Sequence, residues 1–134
     1  MKKKKIIKSI RNNCNVCLKP SKVCDGVGVF ALIDIPKGTI LFEDTKPDNE
    51  FISWEEIGDI PIEVKNYLSN ICLYAQNGIY LSRNVSSINL SYYVNHSEDY
   101  NVIHDLNIDE YITSKYIKKG EEILCLYTKD EIDW

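Results

Sequence analysis

Apolar and polar positions alternate over short spans along most of the chain, the pattern of half-buried strands. "NVCLKPS" (Asn15–Ser21) alternates and stops at Pro20, which cannot donate to a ladder. "VGVFALIDIPKGTILFE" (Val27–Glu43) reads as strand, turn, strand. Pro36-Lys37-Gly38 supplies the turn, because proline fixes φ and glycine tolerates the backbone angles beyond it. The middle departs from this period. Ser53-x-x-Glu56 has capping-box spacing, and Val64, Tyr67, Leu68 and Ile71 fall at i, i+3, i+4 and i+7. One short helix after Pro61 is therefore predicted. Asn77-Gly78 between short apolar runs predicts a hairpin. "VIHDLNI", "EYITSKYI" and "EEILCLY" add three strands, the last entered through a Lys118-Lys119-Gly120 turn. Many short strands with one small helix predict a compact, mostly β domain.

Composition narrows the class. The 134 residues, 44% hydrophobic and 27% charged, fit one ordinary domain. That domain is placed at 14–134, and "MKKKKIIKSIRNN" (1–13) outside it as a basic N-terminal tail or a first strand. The same run has an alternative reading as a localisation or nucleic-acid patch. No apolar run reaches the ~18–20 residues of a membrane span. Ile6-Ile7 after four lysines do not make the apolar core of a signal peptide. A nuclear or cytoplasmic protein, not secreted and with no membrane contact, is expected. Net charge is −4, and setting Lys2–Lys5 aside leaves the body more acidic still. Direct nucleic-acid binding is therefore not expected, and a basic partner is.

The five cysteines, Cys14, Cys17, Cys24, Cys72 and Cys125, are expected as free thiols from their odd count and the missing secretion signal. Cys14-x2-Cys17 with Cys24 raises a zinc question. A closed site needs a fourth ligand, usually at a second close spacing, and His96 and His104 are distant. No metal is expected, and the cysteines read as small buried hydrophobes.

Three stretches carry candidate chemistry. Gly26-Val27-Gly28 lets backbone approach a ligand, or marks a turn or bulge. "NLSYYVNHSEDYN" (Asn89–Asn101) sets Asn95-His96-Ser97 directly after an apolar and aromatic run, where buried polar groups need partners. The pair either ties down a loop or holds a ligand. "KKGEEILCLY" (Lys118–Tyr127) is a turn leading into a strand that ends on tyrosine.

In this order and spacing, from Val16 to Tyr127, the chain resembles the SET-domain family of protein lysine methyltransferases. "KPSKVCDGVGVFALIDIPKGTIL" is similar to the family's opening, with its Gly-x-Gly, Gly-Val-Phe-Ala and Ile-Pro-Lys-Gly. "NLSYYVNHSEDYN" resembles the segment ending Asn-His-Ser-Cys-x-Pro-Asn, and "IKKGEEILCLY" the closing Gly-Glu-Glu-Leu-x-x-Asp-Tyr. No cysteine module comes after Tyr127, so the form is similar to that of small stand-alone viral SET proteins.

The resemblance implies a mostly β, β-clip-like SET fold: short strands in small sheets, one short helix and a C-terminal pseudoknot. It implies methyl transfer from S-adenosyl-L-methionine to a protein lysine ε-amine, with a histone tail as the expected substrate. Tyr127 takes the catalytic position. Gly26, Val27 and Gly28 offer backbone to the amino-acid end of the cofactor. Asn95 takes the methionine part, and the His96 main chain lies near adenine. Trp134 is a candidate for stacking on adenine or a frayed terminal residue. Cys125 and Tyr93 are assigned to the substrate channel. Cys125 stands where relatives carry Phe or Tyr, so the resemblance implies room for di- or trimethylation. Glu50, Glu55, Glu56, Asp59 and Glu63 would suit a basic tail, or form a solvated face. Leu126 replaces the family's Asp, and Glu98 and Tyr100 its Cys and Pro. A catalytically silent SET-like module that binds peptide or protein is the second reading, and a β domain outside the family with a local polar loop is the third. A homodimer is a further expectation.

Overall fold

The computed structural model describes residues 2–42, 50–81, 84–86, 88–105 and 110–127. Its larger sheet is organised around β2 (Val27–Ala31), in which Gly28 to Ala31 are all buried, so the strand is covered on both faces. β1 (Val16–Pro20) pairs antiparallel on one side, from Val16 opposite Ala31 to Pro20 opposite Val27. On the other side lies β10 (Glu122–Cys125), antiparallel, with Ile123 opposite Val29. Beyond β10, the sheet continues through β8 (Val102–Asp105), β9 (Glu110–Thr113) and β3 (Ile40–Leu41). The two-residue strand β7 (Asn95–His96) also pairs with β10, in parallel.

The last described strand thus lies inside the sheet, between elements from the start and the middle of the chain. Residues 95–102 grip it. Ser97 N–H donates to Cys125 O at 3.0 Å, and Asn101 N–H to Leu124 O at 3.0 Å. The Asn101 side chain donates to Glu122 O and accepts from Leu124 N–H, both at 2.8 Å. The C-terminal strand is thus held between β2 and residues 95–102, the segments the expected pseudoknot would involve.

A smaller sheet joins β4 (Glu50–Ser53), β6 (Gly78–Leu81) and β5 (Leu73–Ala75), in that spatial order. The expected hairpin is present, but Ala75 pairs with Gly78, so Gln76-Asn77 form its loop. Gly78 serves the sheet and not the turn. A Cβ there would collide with the Ile52 carbonyl oxygen and lie 2.8 Å from Ser53 Cα. Backbone cannot yield as a side chain can, so Gly78→Ala is expected to cost about 3 kcal/mol in denaturant unfolding.

α2 (Trp54–Ile57) is a single turn, started by the expected capping box. Ser53 Oγ accepts Glu56 N–H at 3.1 Å, and Ser53 N–H donates to the Glu56 carboxylate at 2.9 Å. α3 (Ile62–Ile71) comes directly after Pro61 as expected. Only Leu68 of its apolar stripe is buried; Val64 and Tyr67 remain 41% and 50% exposed. The segment placed as a basic tail or first strand is instead α1, Lys2–Asn13. Lysine is a good helix former, and Ile6, Ile7 and Ile10 fall on one helical face, which outweighs the unfavourable cations at the N-terminus. No residue of α1 is buried, so removing residues 1–12 is expected to change unfolding stability by no more than about 0.5 kcal/mol. The mostly β architecture holds, with α1 and the α2 turn in addition to the single helix expected.

Two cores support the sheets. Val29, Ile35, Val94, Val102, Ile117, Ile123 and Cys125 belong to the larger, and Leu68, Cys72 and Ile79 form the smaller. Tyr92 packs on the second core and Val94 lies in the first, so the chain at the end of a 3-10 turn, Leu90–Tyr93, ties the two together. The expectation of buried cysteines holds for Cys72 and Cys125; Cys14 and Cys24 are exposed, because the former lies just past α1 and the latter in the loop before β2. Burial pushes the Cys72 thiol up to about 11. A thiol reagent applied to native protein is expected to label Cys14 and Cys24 and spare Cys72 and Cys125, as peptide mapping would show. Among the described residues no helix is long and apolar enough to cross a membrane.

Candidate active site

The parallel register of β7 on β10 sets Asn95 opposite Leu124 and His96 opposite Cys125. Tyr127, two residues beyond Cys125, therefore arrives beside His96. Its N–H donates to His96 Nδ1 at 2.9 Å, and the rings lie 5.2 Å apart between centroids. Since Nδ1 accepts, a neutral His96 carries its proton on Nε2. The Tyr127 hydroxyl donates to the Val94 carbonyl. With its proton committed there, the phenol oxygen faces any further partner as an acceptor. Tyr127 is half-buried and packs on the main core, as does Tyr93.

Asn95 is fixed by two acceptors. Its Nδ2 donates to Val27 O at 3.0 Å and to Glu122 Oε2 at 3.3 Å. Sequence reasoning did not single out Glu122, which is only 7% exposed. Its Oε2 also accepts Ser21 Oγ–H at 2.7 Å, and its Oε1 accepts Lys22 N–H at 2.8 Å. The available signal was a charge at the head of an otherwise apolar strand, where burial without partners is costly. It went unused because Glu121-Glu122 also fits the exit of a turn, and Glu121 is indeed exposed.

Gly28 also has a structural role. A Cβ there would strike Glu122 Oε2, and would lie 3.0 Å from its Cδ and 3.3 Å from Asn95 Nδ2. The bare backbone makes room for the carboxylate. Gly26 O accepts Ser21 N–H at 2.8 Å and closes the loop before β2. Gly26, Val27, Gly28, Asn95, His96 and Tyr127 are thus joined in one neighbourhood through Glu122 and β10.

The other assigned residues are less directly tied to this network. Cys125 is buried in the main core at 1% exposure, where Val94 and Val102 favour a small side chain. Leu126, where the family carries Asp, is 43% exposed. Trp134 lies outside the described residues. Glu50, Glu55, Glu56, Asp59 and Glu63 are all exposed. The Glu56 carboxylate is occupied in the cap, and the Ser53 backbone N–H, with the Ser53 hydroxyl second, holds it below the usual carboxylate range. Among the described residues no cluster of His, Cys, Asp or Glu could hold a metal ion.

Residues 26–128 match the SET-domain family, and this stretch contains every joined residue named above except Ser21 and Lys22. Solved structures agree. A Chaetomium thermophilum Polycomb Repressive Complex 2 in an autoinhibited conformation bound to S-adenosylmethionine is 28% identical, with a TM-score of 0.60 over 90% of this chain. A humanized mutant of the same complex, bound to an inhibitor, is 25% identical with a TM-score of 0.58, also over 90%. In both cases the chain spans only 16% of the matched chain. A Plasmodium falciparum protein provisionally assigned as a histone methyltransferase shares the fold at 22% identity and a TM-score of 0.51, over 85% of this chain and 93% of that one. Among curated proteins none matches at a significant level. With most of its length inside the matched domain, and with the sheet order described, the chain belongs to the SET-domain family.

Proposed function

We propose that the chain transfers a methyl group from S-adenosyl-L-methionine to a lysine ε-amine in a basic protein segment, with a histone tail as substrate. The observation that carries this reading is the placement of Tyr127 against His96 and Val94, one register step from Asn95. The residues fit such a cofactor. An Asn95 oxygen over a buried carboxylate suits its ammonium, and the His96 backbone lies on the same short strand. A relative bound to S-adenosylmethionine supports the assignment.

Bound there, the cofactor supplies an electrophilic methyl group on a sulfonium sulfur. The protein's part is to present a neutral amine in line with it. Lysine has a pKa of about 10.4 in water, so apolar surroundings must disfavour its ammonium form. Tyr93, which packs on the same core as Tyr127, and Cys125, a member of that core two residues before Tyr127, would supply that lining. The Tyr127 oxygen, accepting only, orients the amine by one N–H and leaves the lone pair free to attack. It also accepts weak C–H contacts from a partly positive methyl group. No strong base is required of the site if the amine arrives neutral. The thiol of Cys125 crowds the acceptor less than an aromatic ring, so the product expected is di- or trimethyl-lysine. Intact-mass analysis stopping at monomethyl-lysine with substrate still present would contradict this point.

A second reading is a silent peptide-binding module. The exposed apolar side chains Phe51, Ile62, Val64 and Tyr67 along β4 and α3 would hold a peptide with or without chemistry. Incubation with labelled S-adenosylmethionine and core histones separates the two. Label on histone lysine is the expected result. Histone-tail binding with neither label nor cofactor uptake would establish the silent module instead.

A further inference from the structure

We propose that Glu122 is a positioning residue: its buried carboxylate locks the Asn95 amide with the oxygen outward, which makes the site selective for a cationic amino-acid end on the cofactor. This rests on the methyl-transfer reading above. An ionised carboxylate only accepts hydrogen bonds. Glu122 takes three of them, from Ser21 Oγ, Lys22 N and Asn95 Nδ2, at 2.7, 2.8 and 3.3 Å. Its burial strengthens each, and charge-assisted bonds exceed neutral ones.

The consequence falls on Asn95. With Nδ2 toward Glu122 and the Val27 carbonyl, both amide hydrogens point at acceptors. Turned over, Oδ1 would face those same two acceptors with no hydrogen between. The amide is therefore held one way, and Oδ1 is the atom left for a ligand. An acceptor backed by a buried negative charge favours a cationic donor, and an α-ammonium group is such a donor. Gly28 belongs to the same device, since any side chain there would displace the carboxylate. The competing role for Glu122 is simple anchoring of the loop at Ser21 and Lys22.

The two roles separate by ligand. S-adenosylhomocysteine carries the ammonium; 5′-methylthioadenosine keeps the nucleoside thioether and lacks the amino-acid end. Glu122→Gln is nearly isosteric but brings an NH2 group among donors. The simplest repair turns Asn95 over and presents NH2 to the ligand. By calorimetry, Glu122→Gln is expected to weaken S-adenosylhomocysteine about tenfold and 5′-methylthioadenosine by less than about twofold. Adding Asn95→Asp restores part of the loss, because a carboxylate presents oxygen in either orientation. Equal losses for both ligands, or none for either, would overturn the positioning role and leave the methyl-transfer reading standing. Wild-type protein that binds no S-adenosylhomocysteine overturns both. The wild type alone also tests the point, whether or not the variant folds. The Asn95 side-chain NH2 should exchange slowly and show nuclear Overhauser contacts to Gly28, whereas an amide that flips freely would sink the inference.

Discussion

Tyr127→Phe is expected to lower kcat/KM for methyl transfer by about two to three orders of magnitude while changing the Kd for S-adenosylhomocysteine by less than about threefold. The substitution removes one oxygen and keeps the ring, so the packing on the main core and the contact with His96 survive. The backbone bond from Tyr127 N–H to His96 Nδ1 is also untouched. The losses are the acceptor that orients the amine and the bond to the Val94 carbonyl. The latter makes a stability loss of about 1 kcal/mol the accompanying expectation. Steady-state rates on a lysine peptide, set beside calorimetric affinities, distinguish this pattern from general damage. A parallel loss of cofactor affinity would place the hydroxyl in cofactor binding and not in the transfer step.

A large stability effect is expected at Asn101. Its side chain is 8% exposed and completes the hydrogen bonding of β10 at two points, Glu122 O and Leu124 N–H. Its backbone adds Leu124 O on one side and accepts Ser114 N–H on the other. Asn101→Ala would leave a donor and an acceptor unpaired in the middle of the larger sheet. The expected cost is about 3 kcal/mol, a fall of roughly 10 °C in Tm for a domain of this size. Asn101→Asp keeps the acceptor but points a carboxylate oxygen at the Glu122 carbonyl, so it should be no milder at neutral pH. Thermal unfolding followed by circular dichroism checks both. Activity should fall with stability, since the residues that grip β10 are the ones that bring Asn95 and Tyr127 together.

How far the sequence goes depends on the range of the contact. The capping box at Ser53 and Glu56 and the helix after Pro61 are local, and both appear where the spacing put them. Asn95, His96 and Tyr127 were legible through motif order, and the structure joins them by a parallel register no local pattern encodes. Glu122 was missed because its partners Ser21 and Lys22 are 101 and 100 positions away. The structural role of Gly28 was hidden for the same reason, since the group that fills the space of its missing side chain comes from β10. Gly78 looked like half of a turn signal and proved to be a point of close approach to β4. α1 was overlooked because a run of lysines reads as a solvated tail, while three isoleucines on one helical face went uncounted.

The most direct test is to titrate isotope-labelled protein with S-adenosylhomocysteine and monitor backbone amide shifts by nuclear magnetic resonance. If insertion of β10 builds the cofactor pocket, the affected amides are Gly26 to Gly28, Asn95 to Ser97 and Tyr127, while those of α1 and α3 stay still. Shifts confined to α1 or α3, or none at saturating ligand, would contradict the account.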